Sequence, residues 1–187
     1  MKFEKVSRDT FEKECRKYIG DYSDAWYDNI KIPVRATKSS ASYDLSVPMM
    51  TVVANTGSID MRFIPTGIKA KIDPDKVLVM APRSSMGKRG IMLANTIGVI
   101  DADYYNNPDN EGDIIIALAK YTFGSVLFNE GEKVAQIMIL PYYTVEDDNV
   151  TAERTGGWGS TTKKGMEPLD DMQSGKLFAD ATVDDLE

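Results

Sequence analysis

The chain contains no histidine and only one cysteine, Cys15. Without histidine, no Ser-His-Asp or Cys-His relay can be assembled, and no imidazole can bind a metal. A lone cysteine excludes an intrachain disulfide and a thiolate zinc site. Long hydrophobic runs are missing too. None approaches the roughly 20 residues a helix needs to cross a bilayer, and the opening MKFEKVSRD is charged. The expectation is a cytoplasmic protein that does not contact membranes. Positive charge is scarce as well: 22 Lys and Arg against 29 Asp and Glu give a formal net charge of −7. That balance disfavours non-specific attraction to nucleic acid or anionic lipid, so an anionic ligand would need a local basic patch. Any catalysis falls to carboxylates, hydroxyls, amides, arginines or an oxygen-bound ion such as Mg²⁺.

What remains is an ordinary globular composition. With 187 residues, 42% hydrophobic and 27% charged, the chain suits one domain with a full core. Ser7 or Asp9 can cap a short helix in which Phe11, Cys15, Tyr18 and Ile19 recur at helical spacing, and Gly20 ends it. Asp21 to Asn29 reads as an irregular aromatic and acidic connection. From Ile32 onward the pattern is short apolar or β-branched runs broken by turn chemistry, such as Asn55-Thr56-Gly57, Pro65-Thr66-Gly67 and Asn129-Glu130-Gly131. Such spacing predicts an all-β barrel or jelly roll rather than βαβ units. The expected organisation is an N-terminal arm over 1–31, a barrel core over 32–153, a glycine-rich segment over 154–165 and an acidic tail over 166–187.

Several stretches concentrate chemistry. Ile97 to Ile100 reads as a buried strand that ends in Asp101 and Asp103, with Tyr104 and Tyr105 beside them. A carboxylate against apolar walls can accept a proton and a ring can pack on a flat ligand; an acidic turn after a strand is the plainer alternative. Arg83-Ser84-Ser85, followed by Gly87-Lys88-Arg89, could cradle an anion through a planar guanidinium, hydroxyls and close backbone approach, or form a solvated basic turn. Arg154-Thr155-Gly156-Gly157-Trp158-Gly159-Ser160-Thr161 brackets a large ring with glycines. That pattern suits a lid closing on a planar base better than a plain linker. Gln136 places one amide in an apolar strand, where it could satisfy backbone or face a ligand. Asp44 lies in a small-residue strand, where an ordinary hydrogen-bonded aspartate is the default.

Taken in order, Ala41–Leu45, Ala81–Ser85, Gly98–Tyr104, Lys133–Ile137 and Arg154–Thr161 resemble the five signature segments of the homotrimeric dUTP pyrophosphatases, the dUTPases. The resemblance covers roughly residues 32–162. It implies a distorted jelly-roll subunit and a homotrimer whose sites draw on all three chains. It also implies hydrolysis of dUTP to dUMP and pyrophosphate, which keeps dUTP low and supplies dUMP for thymidylate synthesis. Asp101 would be the general base that activates water for attack on the α-phosphorus. Tyr104 would pack on deoxyribose, and Asn95 with nearby hairpin backbone would read the uracil edge. Arg83, Ser84, Ser85 and Gln136 would hold the triphosphate, and Asp44 would orient waters on a phosphate-bridging Mg²⁺. Trp158 and Gly159 belong to the segment that would stack on uracil, while Arg154, Ser160 and Thr161 would close on the γ-phosphate.

The pattern is departed from in places. Tyr105 to Glu111 lengthens the turn that the family closes soon after its tyrosine. The last segment is one residue shorter than usual between Arg154 and its ring, has Trp158 where phenylalanine is common, and has Thr162 where glycine is usual. The arm and tail lie outside the common core, as in some phage and prophage members. The arm, the tail or the 105–111 insertion could add a protein partner. A dCTP deaminase, alone or bifunctional, shares the fold and a similar Pro-Arg-Ser-Ser stretch, but it relies on a glutamate in the next strand, where Ile114 to Ala119 is apolar. A dUTPase-like regulator that binds a repressor is the rival from a different class.

Overall fold

The computed structural model describes residues 1–152, 154 and 156. The expected roles of Trp158, Gly159, Ser160 and Thr161, and the acidic tail, lie outside the described residues.

The first helix forms where capping and periodicity place it. In α1 (Arg8–Tyr18), the Ser7 hydroxyl accepts from the Thr10 N–H at 3.2 Å, Asp9 sits in the first turn, and Arg16 and Lys17 sit in the last. Charges so placed complement the helix dipole. Gly20, at φ 82°, takes the left-handed conformation that closes the helix. Phe11 and Cys15 are fully buried against the barrel.

One expectation for the arm needs correction. Residues 24–28 are not irregular but form a short helix, α2 (Asp24–Asp28). Arg8 bridges Asp24 at 2.7 Å and Asp28 at 2.8 Å and lies over the Tyr27 ring, while Trp26 and Tyr27 pack on the core. Those partners come from α1 and the core, so local sequence carries no trace of them. Ahead of α1, β1 (Lys2–Lys5) pairs with β6 (Ile68–Lys71); four mostly charged residues give no strand signal of their own.

The remaining strands are β2 (Val34–Arg35), β3 (Tyr43–Ser46), β4 (Thr51–Asn55), β5 (Met61–Pro65), β7 (Lys76–Pro82), β8 (Ile91–Leu93), β9 (Gly98–Ile100), β10 (Ile115–Lys120), β11 (Gly124–Phe128) and β12 (Lys133–Pro141). They join in the orders β2-β3-β12-β7-β9, β5-β10-β8, β11-β4 and β1-β6. Every pairing between the named strands is antiparallel. This is the expected all-β architecture. β10 is buried along its whole length, which explains its unbroken apolar run: both faces of the strand are covered.

β9 departs from its reading as a buried strand. Gly98 is buried, but Val99 is 61% and Ile97 48% exposed. Among the described residues, the strand is the outermost of the five-stranded sheet and pairs only with β7. Nor does the turn after β8 join a hairpin, because β8 pairs with β10 and β9 with β7. It carries the chain between two sheets.

Candidate active site

The basic end of the site is built on β7 and its two neighbours. β12 sets Gln136 between Ala81 of β7 and, on its other side, Asp44 of β3. The Ser42 hydroxyl donates to Gln136 Oε1 at 2.8 Å, and Gln136 Nε2 donates to the Pro82 carbonyl at 3.1 Å. The amide is therefore oriented by protein on both sides. Just past Pro82, Arg83 Nε meets Asp44 Oδ1 at 3.0 Å, and Lys133 Nζ meets Asp44 Oδ2 at 2.9 Å. The Asp44 side chain is only 5% exposed, whereas Arg83 and Lys133 are 33% and 39% exposed. One buried carboxylate thus anchors two cations whose other surfaces face solvent. Ser84 and Ser85 are exposed on the opening turn of α3 (Ser84–Lys88). Hydroxyls, an oriented amide and two cations on one sheet end suit a polyanion.

The acidic end lies where β9 runs out. Asp101 precedes a 3₁₀ turn, Ala102–Tyr104, and its carboxylate is about half exposed. Arg154 spans this turn: its terminal nitrogen meets Asp101 Oδ2 at 2.6 Å, and its Nε meets Asp103 Oδ1 at 2.8 Å. The guanidinium also lies over the Tyr104 ring, 5.6 Å from its centre. Tyr104 is largely buried, and burial pushes its phenol well above the ordinary range. Its hydroxyl donates to the Asp113 carbonyl at 2.9 Å. Asn95 is exposed in the turn that leads into β9, whose outer edge has no strand partner among the described residues. An unpaired edge offers backbone donors and acceptors in a fixed row.

These two ends do not meet within one chain. β7 and β9 are antiparallel, with Met80 opposite Gly98 and Leu78 opposite Ile100. Arg83 therefore leaves one end of β7 while Asp101 stands level with Val77 near the other. At ~3.3 Å per residue, that is a separation of roughly 20 Å.

Comparison with known proteins places this arrangement. The sequence profile of the dUTPase family matches residues 28–162. The chain belongs to the dUTPase family. A deoxyuridine 5'-triphosphate nucleotidohydrolase from Lactococcus lactis is 44% identical over 135 residues, 71% of this chain and 88% of its own length. The Escherichia coli protein of the same name is 33% identical over 140 residues, again 71% of this chain and 88% of its own. Among solved structures, a dUTPase from Streptococcus mutans superposes with a TM-score of 0.61 at 35% identity, covering 78% of this chain and 99% of that one. A dUTPase from phage phi11 of S. aureus, at 21% identity and a TM-score of 0.56 over 71% of this chain and 96% of that one, shares the fold.

For a dUTPase-family chain, the structure brings together Asp44, Arg83 and Gln136, and separately Asp101, Tyr104 and Arg154. Sequence reasoning named Asp103 beside Asp101 but gave it no role, and gave none to Lys133 or Ser42. Lys133 was visible as a cation three residues before Gln136, but its pairing with Asp44 depends on a bulge in β12 between Lys133 and Ala135. The donor set bears on metal binding as well. Both oxygens of Asp44 are taken by cations, and among the described residues no group of three or more His, Cys, Asp or Glu side chains could hold a metal. Such residues fit an ion carried by phosphate oxygens and water, not one enclosed by protein ligands.

Proposed function

We propose that the chain hydrolyses dUTP to dUMP and pyrophosphate, with water attacking the α-phosphorus, in homotrimeric sites that combine the acidic end of one subunit with the basic end of a neighbour. The observation that carries this reading is the exposed Asp101 carboxylate at the end of an edge strand, beside a Tyr104 ring held from behind. Arg154 engages Oδ2 of Asp101, and among the described residues Oδ1 has no hydrogen-bond partner, which leaves it to take a proton from water. Substrate drawing Arg154 onto its γ-phosphate would release the second oxygen. Asn95 and the open edge of β9 read uracil. Tyr104 packs on the sugar where a 2′-hydroxyl would sit, and burying that hydroxyl unpaired costs about 1–3 kcal/mol.

Arg83, Ser84, Ser85 and Gln136 of the neighbouring subunit grip the triphosphate, with Asp44 behind Arg83 and Lys133, holding both cations toward the phosphates that would carry a hydrated Mg²⁺. That ion, when bound, neutralises phosphate charge. Attack on a phosphoryl centre needs positioning and electrostatic stabilisation more than a nucleophilic side chain, in keeping with a chain that has no histidine. Trp158, Ser160 and Thr161 complete the closure over base and γ-phosphate; base stacking of this kind is worth roughly 1–3 kcal/mol.

The test is to incubate the purified protein with dUTP, dCTP, dTTP and UTP and resolve the products. dUMP and pyrophosphate from dUTP alone are expected. Ammonia from dCTP would point to a deaminase, although the buried apolar face of β10 offers no carboxylate for that chemistry. Absence of turnover with every nucleotide would favour a regulatory binding protein.

A further inference from the structure

Residues 105–112 carry none of the roles above, yet they are built under strain. Asn106 (φ 57°) and Glu111 (φ 55°) are left-handed non-glycine residues, and Gly112 (φ 86°) is followed by the fully buried Asp113. A Cβ on Gly112 would come within 2.6 Å of the Tyr104 carbonyl oxygen. Such conformations persist only where the surroundings over-determine them.

Asn110, 1% exposed, is the centre of what does so. Its Nδ2 donates to the Tyr104 phenol oxygen at 2.9 Å and to the Asp113 carbonyl at 3.3 Å, and its Oδ1 accepts from Asn107 Nδ2 at 2.8 Å and from the Gly112 N–H at 3.1 Å. Asn107 Nδ2 also donates to the Tyr104 carbonyl at 2.9 Å. One loop therefore grips Tyr104 at both its hydroxyl and its main chain. The loop is itself tied down. Glu111 accepts from the Ser7 N–H at 3.1 Å, the Thr10 hydroxyl at 2.7 Å and Lys69 Nζ at 2.9 Å, and Lys13 Nζ donates to the Asp109 carbonyl at 2.6 Å.

We propose that Asn110 is a positioning residue for sugar selectivity. It pins the phenol of Tyr104 so that the ring cannot rock away from a ribose 2′-hydroxyl. The inference rests on the reading of Tyr104 as the sugar-facing ring. Distinguishing hydrogen from hydroxyl at one carbon requires a wall fixed to a fraction of an ångström, and a phenol left with only its bond to the Asp113 carbonyl can pivot about that bond by more than that.

The experiment measures kcat/KM for dUTP and for UTP separately in full-length Asn110→Ala, Tyr104→Phe and the double variant, alongside thermal unfolding. Either single change should lower the preference for dUTP over UTP by about tenfold, roughly what one hydrogen bond can supply. The double variant should lower it no further than Tyr104→Phe alone, which already deletes the Asn110 contact along with the phenol's own bond to the Asp113 carbonyl. A fall in melting temperature with the preference intact would reduce Asn110 to a structural role. Tyr104→Phe keeps the ring and its packing, so if Asn110→Ala does not fold, an unchanged preference in Tyr104→Phe still overturns the proposal. A wild-type protein that releases no pyrophosphate from dUTP would instead bring down the underlying reading of the site.

Discussion

Asp101 is the side chain on which the proposed chemistry turns, and its setting at the end of an edge strand is open. Half of its carboxylate faces solvent, and one oxygen is held by Arg154. Replacing it with asparagine keeps the shape and the contact to Arg154 while removing the proton acceptor. Asp101→Asn should lower kcat about 10²–10⁴-fold, the usual worth of a general base, with nucleotide binding retained in an equilibrium titration. A near-normal rate would take the base role away from this residue. At the basic end, the corresponding point is Asp44, whose buried carboxylate aligns Arg83 and Lys133.

The element that distinguishes this chain from the segment matched by its family is α1 with the strand before it. Its buried face carries a carboxyl as well as apolar groups. Glu14 is fully buried and, among the described residues, neither of its oxygens has a hydrogen-bond partner, and Asp113, beneath the same region, leaves Oδ2 without one. Burial pushes Glu14 up against the opposing pull of Lys17 and Lys13, and burial together with Glu14 pushes Asp113 well up. Both then hold protons in the folded state that the unfolded chain releases above its ordinary carboxyl range, so folding stability falls as pH rises through the folded values. Glu111 works in the other direction. Burial would raise it, but bonds from Ser7, Thr10 and Lys69 hold it down to about 2. Its contribution is present above the ordinary range and is lost as pH falls through that value. Glu14→Gln removes the need for a retained proton. Its melting temperature relative to wild type should therefore be more favourable near pH 8 than near pH 5, and a difference independent of pH would mean that Glu14 is ionised in place.

At the scale of the whole molecule, the decisive fact is that β7 keeps Arg83 and Asp101 at opposite ends. A site using both must borrow one from another copy, and the exposed apolar residues Ile97 and Val99 beside it suit a covered surface better than a free one. In the proposed trimer, Asp101→Asn and Arg83→Ala chains should each be strongly impaired when expressed alone. Co-expressed, they should regain dUTP hydrolysis, because a mixed trimer pairs an intact Asp101 from one chain with an intact Arg83 from the other. Continued inactivity of verified mixed trimers would place the complete site within one chain.

Much of this architecture can be read from the amino-acid order. Short apolar runs with polar turns between them determine an all-β chain; Ser7, the spacing of Phe11 and Cys15, and Gly20 determine α1. Arg83 and Asp101 stand just past strand ends, where turn signals make them visible. Tertiary structure alone decided the rest. Strand alternation says which residues share a face but not which strand lies alongside, so the pairings of β1 with β6 and of β9 with β7 had no local signal. The same holds for α2, which folds on contacts from Arg8 and the core, and for Asn110, which reads as a turn residue until Tyr104 is placed above its amide. In each case, the contacts that set the structure join residues far apart in the chain or on different elements, and pattern along the sequence cannot carry them.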